Sequence, residues 1–211
     1  VSKSEITAHT ANKKMGQVRH IFNKVNDFHQ HDLRNPFSGL AMEETTRRTP
    51  SFDVDWIQQH FINSNYLDGL SKAGRDCIHA MIETGANPKE LILLDPEQYI
   101  ILDHKYPHIW IRPNIYRNGL KTDHRERRIP LVGVAFEVFK SSPDPFKGYR
   151  RPLGAEAMSA MCMKYCRSNG LFPSKKHRLY SFRHTFKNRC LLHFNLETAH
   201  SFKRLHFYVV L

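Results

Sequence analysis

The sequence has few cysteines, no long apolar run and a shortage of acidic residues. Its four cysteines are too few and too scattered for a disulfide scaffold, so we expect a reduced, intracellular protein. No apolar run approaches the roughly 20 residues that a membrane-spanning helix needs, and the polar start lacks the apolar segment of a signal peptide. These absences argue against secretion and against membrane embedding.

The residues that are present are typical of a basic globular chain. Hydrophobic residues make up 40% and charged residues 25% of the 211 residues, which excludes a disordered or collagen-like chain. Lys and Arg number 32 against 20 Asp and Glu, giving a formal net charge of +12. A polyanion is therefore the expected partner.

The spacing of apolar residues predicts a mainly helical chain with a small sheet. A basic, amphipathic helix is expected over 10–28, and a short helix should begin with Asn87 as N-cap and Glu90 at the capping-box position. Three short β-prone runs favour an antiparallel sheet. The predicted strands are 99–102, 108–112 and 128–132, and the predicted later helices are 134–140, 155–167 and 182–192.

The polar stretch 43–51 is typical of a linker between two parts of the chain. A lone helix cannot bury its own apolar face. Residues 1–45 are therefore expected either to pack on the second part, 46–211, or to belong to a larger helical domain. Because residue 1 is Val rather than Met, we treat it as an arbitrary cut.

Three segments carry the most specific signals. The segment 179–186 (Leu-Tyr-Ser-Phe-Arg-His-Thr-Phe) resembles the second conserved box of the tyrosine recombinases, the phage-integrase family. The segment 81–91 (Met-Ile-Glu-Thr-Gly-Ala-Asn-Pro-Lys-Glu-Leu) resembles the first box of that family. Leu120-Lys121-Thr122 followed by 127–131 (Arg-Arg-Ile-Pro-Leu) resembles its β-hairpin lysine segment. Order and spacing match too, so the resemblance extends to about Arg189.

The resemblance implies a tyrosine-recombinase (DNA breaking-rejoining) catalytic fold over 46–211, mainly α with a three-stranded antiparallel β-sheet. The helix that closes with Asn35-Pro36-Phe37 resembles the end of the family's helical, SAM-like core-binding domain, which assigns 1–45 to the C-terminal part of such a domain. The implied function is site-specific recombination or integration of double-stranded DNA through a phosphotyrosine intermediate. The implied setting is a cytoplasmic homotetramer encoded by a bacterium, prophage or other mobile element.

The resemblance also assigns roles to individual residues. Arg183 matches the second-box arginine and would clamp the scissile phosphate. Lys121 matches the hairpin lysine and would be the general acid, with a plain backbone-phosphate contact as the alternative. Tyr180 stands where many members have His, and would either hydrogen-bond a phosphate or pack as an aromatic. No metal or cofactor is implied, because guanidinium groups supply the charge. Further DNA contacts are expected from His184, Lys89, Arg127, Arg128, Lys175, Lys176 and Arg178.

Two features depart from the family pattern. Asn87 occupies the box-one arginine position, and losing that phosphate clamp would cost about 2–4 kcal/mol of transition-state stabilisation, which Lys89 would partly replace. The tail 190–211 is atypical. It offers His206 as the third-box His and Tyr208 as the nucleophile, but the two lie closer together than the family spacing. A truncated or frameshifted ending is the hypothesis that this tail suggests.

The residues leave three functions open. The first is an active recombinase, and the second is a non-catalytic DNA-binding remnant of an integrase, favoured by Asn87 and the tail. The third is an unrelated basic RNA-binding protein, although the chain lacks an aromatic RNA-binding motif. Cys162 and Cys166 lie four residues apart without a second pair at structural-zinc spacing, so we predict a buried, reduced pair.

Overall fold

The computed structural model describes residues 6–44, 49–116 and 126–193. The chain divides into two compact units, Val1–Arg48 and Thr49–Leu211. Among the described residues, no helix combines the length and apolar character needed to cross a membrane.

The first unit is built around one long helix, α1 (Ala8–Phe28). The helix begins two residues before the expected start, because the Thr7 side chain accepts a hydrogen bond from the backbone N–H of Thr10 and caps it. The segment that follows is held to the helix by asparagine amides. Asn12 donates to the carbonyl of Met42 and accepts from its backbone N–H, both at 2.8 Å. This segment is therefore held by hydrogen bonds between a helix side chain and its backbone rather than by packing alone.

The second unit begins with α2 (Val54–Ile57), which continues into a π-helical turn over Gln58–Ile62. The helices α3 (Lys72–Thr84), α4 (Pro88–Ile92) and α5 (Pro96–Tyr99) follow. Beyond the sheet lie α6 (Gly133–Ser141), a 3₁₀ turn (Lys147–Tyr149), α7 (Gly154–Ser168) and α8 (Tyr180–His193). The helices predicted after the sheet are confirmed within two residues at each end.

The sheet has strands β1 (Ile100–Ile101), β2 (His108–Ile111) and β3 (Arg127–Pro130) in that order, both pairs antiparallel. The pairings Ile100↔Ile109 and Ile109↔Ile129 set the register, so one face of the sheet carries isoleucines into the core. The predicted three-stranded antiparallel sheet is confirmed.

Most boundaries of the predicted strands differ from the observed ones by one or two residues. We expected the first strand to begin at Tyr99, but Tyr99 is the last residue of α5. The Asp95 side chain accepts from the N–H of Glu97, and Pro96 occupies the first helical turn. This local cap and the fixed φ of proline outweigh the β-propensity of the tyrosine.

The core surrounds α3, which packs against α6, α7 and α8. Aromatic rings tie α8 into this core: the Phe182 ring lies 4.7 Å from that of Phe52 and 5.0 Å from that of Phe61. All three rings are buried. Each buried side chain of this size stabilises the fold by about 1.5–3 kcal/mol relative to its exposed state, which fixes the helix that carries the second box.

The cysteines lie within this core. Cys162 and Cys166 sit on the buried face of α7 as free thiols, which confirms the predicted reduced pair. Burial raises the pKa of each thiol to about 12. Both side chains are therefore packing groups rather than nucleophiles or metal ligands.

Candidate functional site

The second box lies on α8, and its buried residues fix where Arg183 points. Ser181, Phe182 and Thr185 are buried. The Thr185 hydroxyl accepts from the backbone N–H of Phe52 at 2.7 Å and donates to the carbonyl of Ser181 at 3.0 Å. With its neighbours anchored in the core, Arg183 carries a side chain that is 36% exposed at the surface of the unit.

The first box contacts Arg183 at the C-terminal end of α3. Gly85 follows the helix with a φ of +59°, and its carbonyl accepts a hydrogen bond from Nη1 of Arg183 at 3.0 Å. A Cβ at this position would stand 2.5 Å from the Phe186 ring. Glycine is required here both by the left-handed backbone and by the close approach of α8.

Asn87 acts as the N-cap of α4. Its Oδ1 accepts from the N–H of Glu90 at 2.8 Å, and the Glu90 carboxylate accepts from the N–H of Asn87 at 3.0 Å. Pro88 occupies the first helical turn. The predicted capping box is confirmed, and the side chain at the box-one arginine position is engaged with its own helix and carries no charge.

Glu90 joins both boxes to the third strand. Its two carboxylate oxygens accept a forked pair of hydrogen bonds from Arg127, at 3.0 and 2.9 Å. Nη1 of Arg183 approaches the second of those oxygens at 3.3 Å. The side chains of Glu90 and Arg127 are only 7% and 8% exposed. One buried carboxylate is therefore shared by two guanidinium groups, leaving a net charge of +1.

The charge of Glu90 depends on these partners. Burial alone would raise the pKa of the carboxyl, but Arg127 lowers it, with smaller contributions from the Asn87 backbone and Arg183, and the pKa lies below its usual 4.5. Glu90 is therefore ionised throughout the neutral range.

Arg183 keeps one edge of its guanidinium for a ligand. Nη1 makes its hydrogen bonds to Gly85 and Glu90, whereas Nε and Nη2 make none among the residues that the structure describes. Nε and Nη2 form one planar edge with two parallel N–H directions, which matches two oxygens of a phosphate or carboxylate. The arrangement can hold an oxyanion against α8.

Two further residues of the second box, Tyr180 and His184, are close to Arg183 in sequence. Tyr180 is 51% exposed, and its ring meets that of His184 edge-on at 4.9 Å, one helical turn away. Partial burial, Lys187 and Arg183 lower the pKa of His184, so its imidazole is neutral at physiological pH. Tyr180 belongs to the surface of α8 rather than to the core.

The other predicted DNA contacts have varied surroundings. Lys175, Lys176 and Arg178 are exposed on the segment that leads into α8. Lys89 lies 3.8 Å from the Glu156 carboxylate, and Arg128 lies over the Trp110 ring at 4.4 Å. The Arg127 side chain is 8% exposed and pairs with Glu90 instead of facing solvent. The two residues are 37 apart in sequence, and no local pattern signals this pairing.

Three predicted site residues, Lys121, His206 and Tyr208, lie outside the described residues, so their roles stay predictions. Within the described ranges, no group of three or more His, Cys, Asp or Glu side chains is placed to hold a metal ion.

The sequence matches no protein-family model and no curated protein. The fold, however, matches solved integrase structures. The Tn1549 transposon integrase in complex with circular intermediate DNA aligns with a TM-score of 0.69 at 17% identity, covering 96% of this chain and 73% of that one. A lambda integrase dimer bound to a COC' core site aligns with a TM-score of 0.70 at 13% identity, covering 96% and 76%.

A variant of the Tn1549 integrase bound to transposon right end DNA gives a TM-score of 0.64 at 16% identity, covering 97% of this chain. The chain thus shares its fold with these integrases. The resemblance to tyrosine recombinases predicted from three short segments is confirmed at the level of the fold.

Proposed function

We propose that this chain binds double-stranded DNA and breaks and rejoins it as a site-specific recombinase of the integrase type. The observation that carries the proposal is the Arg183 guanidinium, which is anchored through Nη1 and keeps its Nε and Nη2 edge for an oxyanion, on an integrase fold. The net charge of +12 supports a polyanionic partner.

In the proposed reaction, Arg183 holds two oxygens of the scissile phosphate and stabilises the charge that builds up there. The Tyr208 hydroxyl gives its proton to solvent water and its oxygen attacks phosphorus, so that a Tyr–O–P bond forms while the bond from phosphorus to the 5′-oxygen breaks. Lys121 gives its proton to that leaving oxygen. Tyr180 and His206 hydrogen-bond the phosphate, and the reverse sequence rejoins the strand. The guanidinium supplies the charge, so the proposal needs no metal or cofactor.

The proposal extends to the assembly. DNA backbone contacts come from groups on α4, on β3 and around α8, and residues 1–45 form the C-terminal part of a helical core-binding domain. The protein would act as a homotetramer on two duplexes, in the integration or excision of a mobile element such as a prophage. The backbone contacts are proposed for Lys89, Arg128, Lys175, Lys176, Arg178 and His184.

A second candidate function is DNA binding without cleavage. The observation that favours it is the capping box of α4, because the Asn87 side chain is engaged with the helix and puts no cation at the box-one position. Loss of one such clamp costs about 2–4 kcal/mol, or roughly 1.5 to 3 orders of magnitude in rate.

The two candidates are separated by covalent trapping. The full chain is incubated with nicked duplexes of random sequence, quenched in detergent and analysed for protein–DNA adducts on a denaturing gel. An adduct that is lost in Tyr208→Phe and Arg183→Ala, but kept in the surface control Arg167→Ala, supports the recombinase. Salt-sensitive binding without any adduct supports the binding protein. Binding that is unaffected by Arg183→Ala overturns both.

A further inference from the structure

We propose that Arg127 keeps Arg183 available for DNA by occupying the Glu90 carboxylate, while Arg127 itself does not contact the phosphate. The inference rests on the proposed binding of a DNA phosphate by Arg183, which both candidate functions share. It makes Arg127 a positioning residue that acts through Glu90.

The geometry shows which arginine is the main partner of Glu90. Arg127 approaches both carboxylate oxygens through a planar fork, at 3.0 and 2.9 Å. Arg183 approaches one oxygen at 3.3 Å, longer than the roughly 2.7–2.9 Å of a strong charge-assisted hydrogen bond. Arg127 thus takes the fork position on Glu90, and Arg183 is left with a weaker, single-point interaction.

The charges show what would follow without Arg127. Glu90 is buried, and a buried carboxylate that loses its fork partner is strongly destabilised. The nearest described guanidinium is that of Arg183, which already lies at 3.3 Å. We expect Arg183 to turn its fork onto Glu90, which would cancel its charge and remove its free edge from solvent. A DNA phosphate would then compete with a buried carboxylate for the same guanidinium.

Burial separates this role from a direct DNA contact. The Arg127 side chain is 8% exposed and its two Nη atoms face Glu90, whereas the Arg183 side chain is 36% exposed with an edge open to a ligand. Because Asn87 contributes no charge, Arg183 carries more of the local positive potential, and the effect of Arg127 on it is correspondingly large.

The test is the salt dependence of binding of the full chain to a short duplex of random sequence, followed by fluorescence anisotropy. Each lost phosphate contact makes the slope of log affinity against log salt shallower by about 0.9. We expect Arg127→Gln to lose about one contact, as Arg183→Gln does, and the double variant to lose no more than either single variant. The surface control Arg167→Gln should keep the full slope.

The Glu90→Gln background distinguishes this role from a structural one. Once the carboxylate charge is removed, Arg127→Gln should no longer change the slope, so Glu90→Gln with Arg127→Gln should bind like Glu90→Gln alone. This pair also replaces both ions by neutral amides, which protects folding. If Arg127→Gln alone fails to fold, Arg127→Lys keeps the charge without the fork and should show a partial loss.

Two outcomes overturn the inference alone: an unchanged slope in Arg127→Gln while Arg183→Gln loses a contact, or losses that add in the double variant, which would mean that Arg127 touches DNA itself. An unchanged slope in Arg183→Gln overturns the inference together with the proposed function.

Discussion

Nη1 of Arg183 donates to the carbonyl oxygen of Gly85 at 3.0 Å, across 98 residues of sequence. This bond joins the end of α3 to the helix that carries the second box. Because Gly85 also lies against the Phe186 ring, one glycine sets both the spacing of α3 from α8 and the position of the guanidinium.

Replacing Gly85 by alanine should therefore lower both stability and DNA affinity. The positive φ costs about 1–3 kcal/mol for a residue with a Cβ, and the clash with Phe186 adds to it. Gly170→Ala is the matched control, since Gly170 has a φ of +66° with open space around its Cβ position. Denaturant unfolding should show a larger loss for Gly85→Ala, and only this variant should weaken DNA binding. Equal losses of stability in both variants would contradict the clash between a Cβ at position 85 and the Phe186 ring.

Replacing Asn87 by arginine should lower the free energy of unfolding and raise the affinity for DNA. Loss of the N-cap costs about 0.5–2 kcal/mol. Asn87→Ala loses the same cap without adding a cation, so it serves as the control. We expect both variants to unfold at lower denaturant concentration, and only Asn87→Arg to bind DNA more tightly. If Asn87→Arg binds no better than Asn87→Ala, the box-one position does not face the DNA.

The thiols of Cys162 and Cys166 should resist alkylation in the folded protein. Burial raises the pKa of each to about 12, so almost no thiolate is present at mildly alkaline pH, and solvent has little access to the sulfur atoms. Iodoacetamide labelling followed by peptide mass spectrometry measures this directly, with the guanidinium-unfolded protein as the reference. Rapid labelling of either residue before unfolding would show that α7 is not packed as described.

His79 should make the protein less stable in mild acid. Burial lowers the pKa of His79 below its usual 6.5, and its Nε2 donates to the carbonyl of Phe61 at 2.9 Å. Below pH 6.5 the unfolded state therefore binds a proton that the folded state does not. The free energy of unfolding consequently decreases as the pH is lowered, until the folded pKa is reached. Thermal melts across this range should show a weaker pH dependence in His79→Gln. An identical dependence in both proteins would argue against a neutral, buried His79.

Local sequence signals were sufficient for much of the fold. The start of α4 was predictable because Asn87 and Glu90 cap each other within one turn and Pro88 favours the first helical position. The helix α5 was missed because the β-prone tyrosine at its end outweighed the cap at Asp95 in a short window. Local patterns specify such elements only where they agree with one another.

The ion pairs of the site were harder to predict from the sequence than the secondary structure. The sequence identified Arg183 and Arg127 as separate phosphate contacts, but it did not reveal that both meet Glu90. That pairing depends on where the fold places β3, α4 and α8 relative to one another, and no local spacing encodes it. The low exposure of the Arg127 side chain follows from the same arrangement.

The central claim is that Arg183 holds a DNA phosphate, and the most direct measurement is the affinity of the full chain for a short duplex as salt is raised. Arg183→Ala is compared with Arg167→Ala, which removes the same charge from the exposed last turn of α7. We predict that Arg183→Ala binds more weakly and makes the salt slope shallower by about 0.9, the value of one phosphate contact. If the two variants bind alike at every salt concentration, Arg183 does not hold the phosphate and the account is wrong.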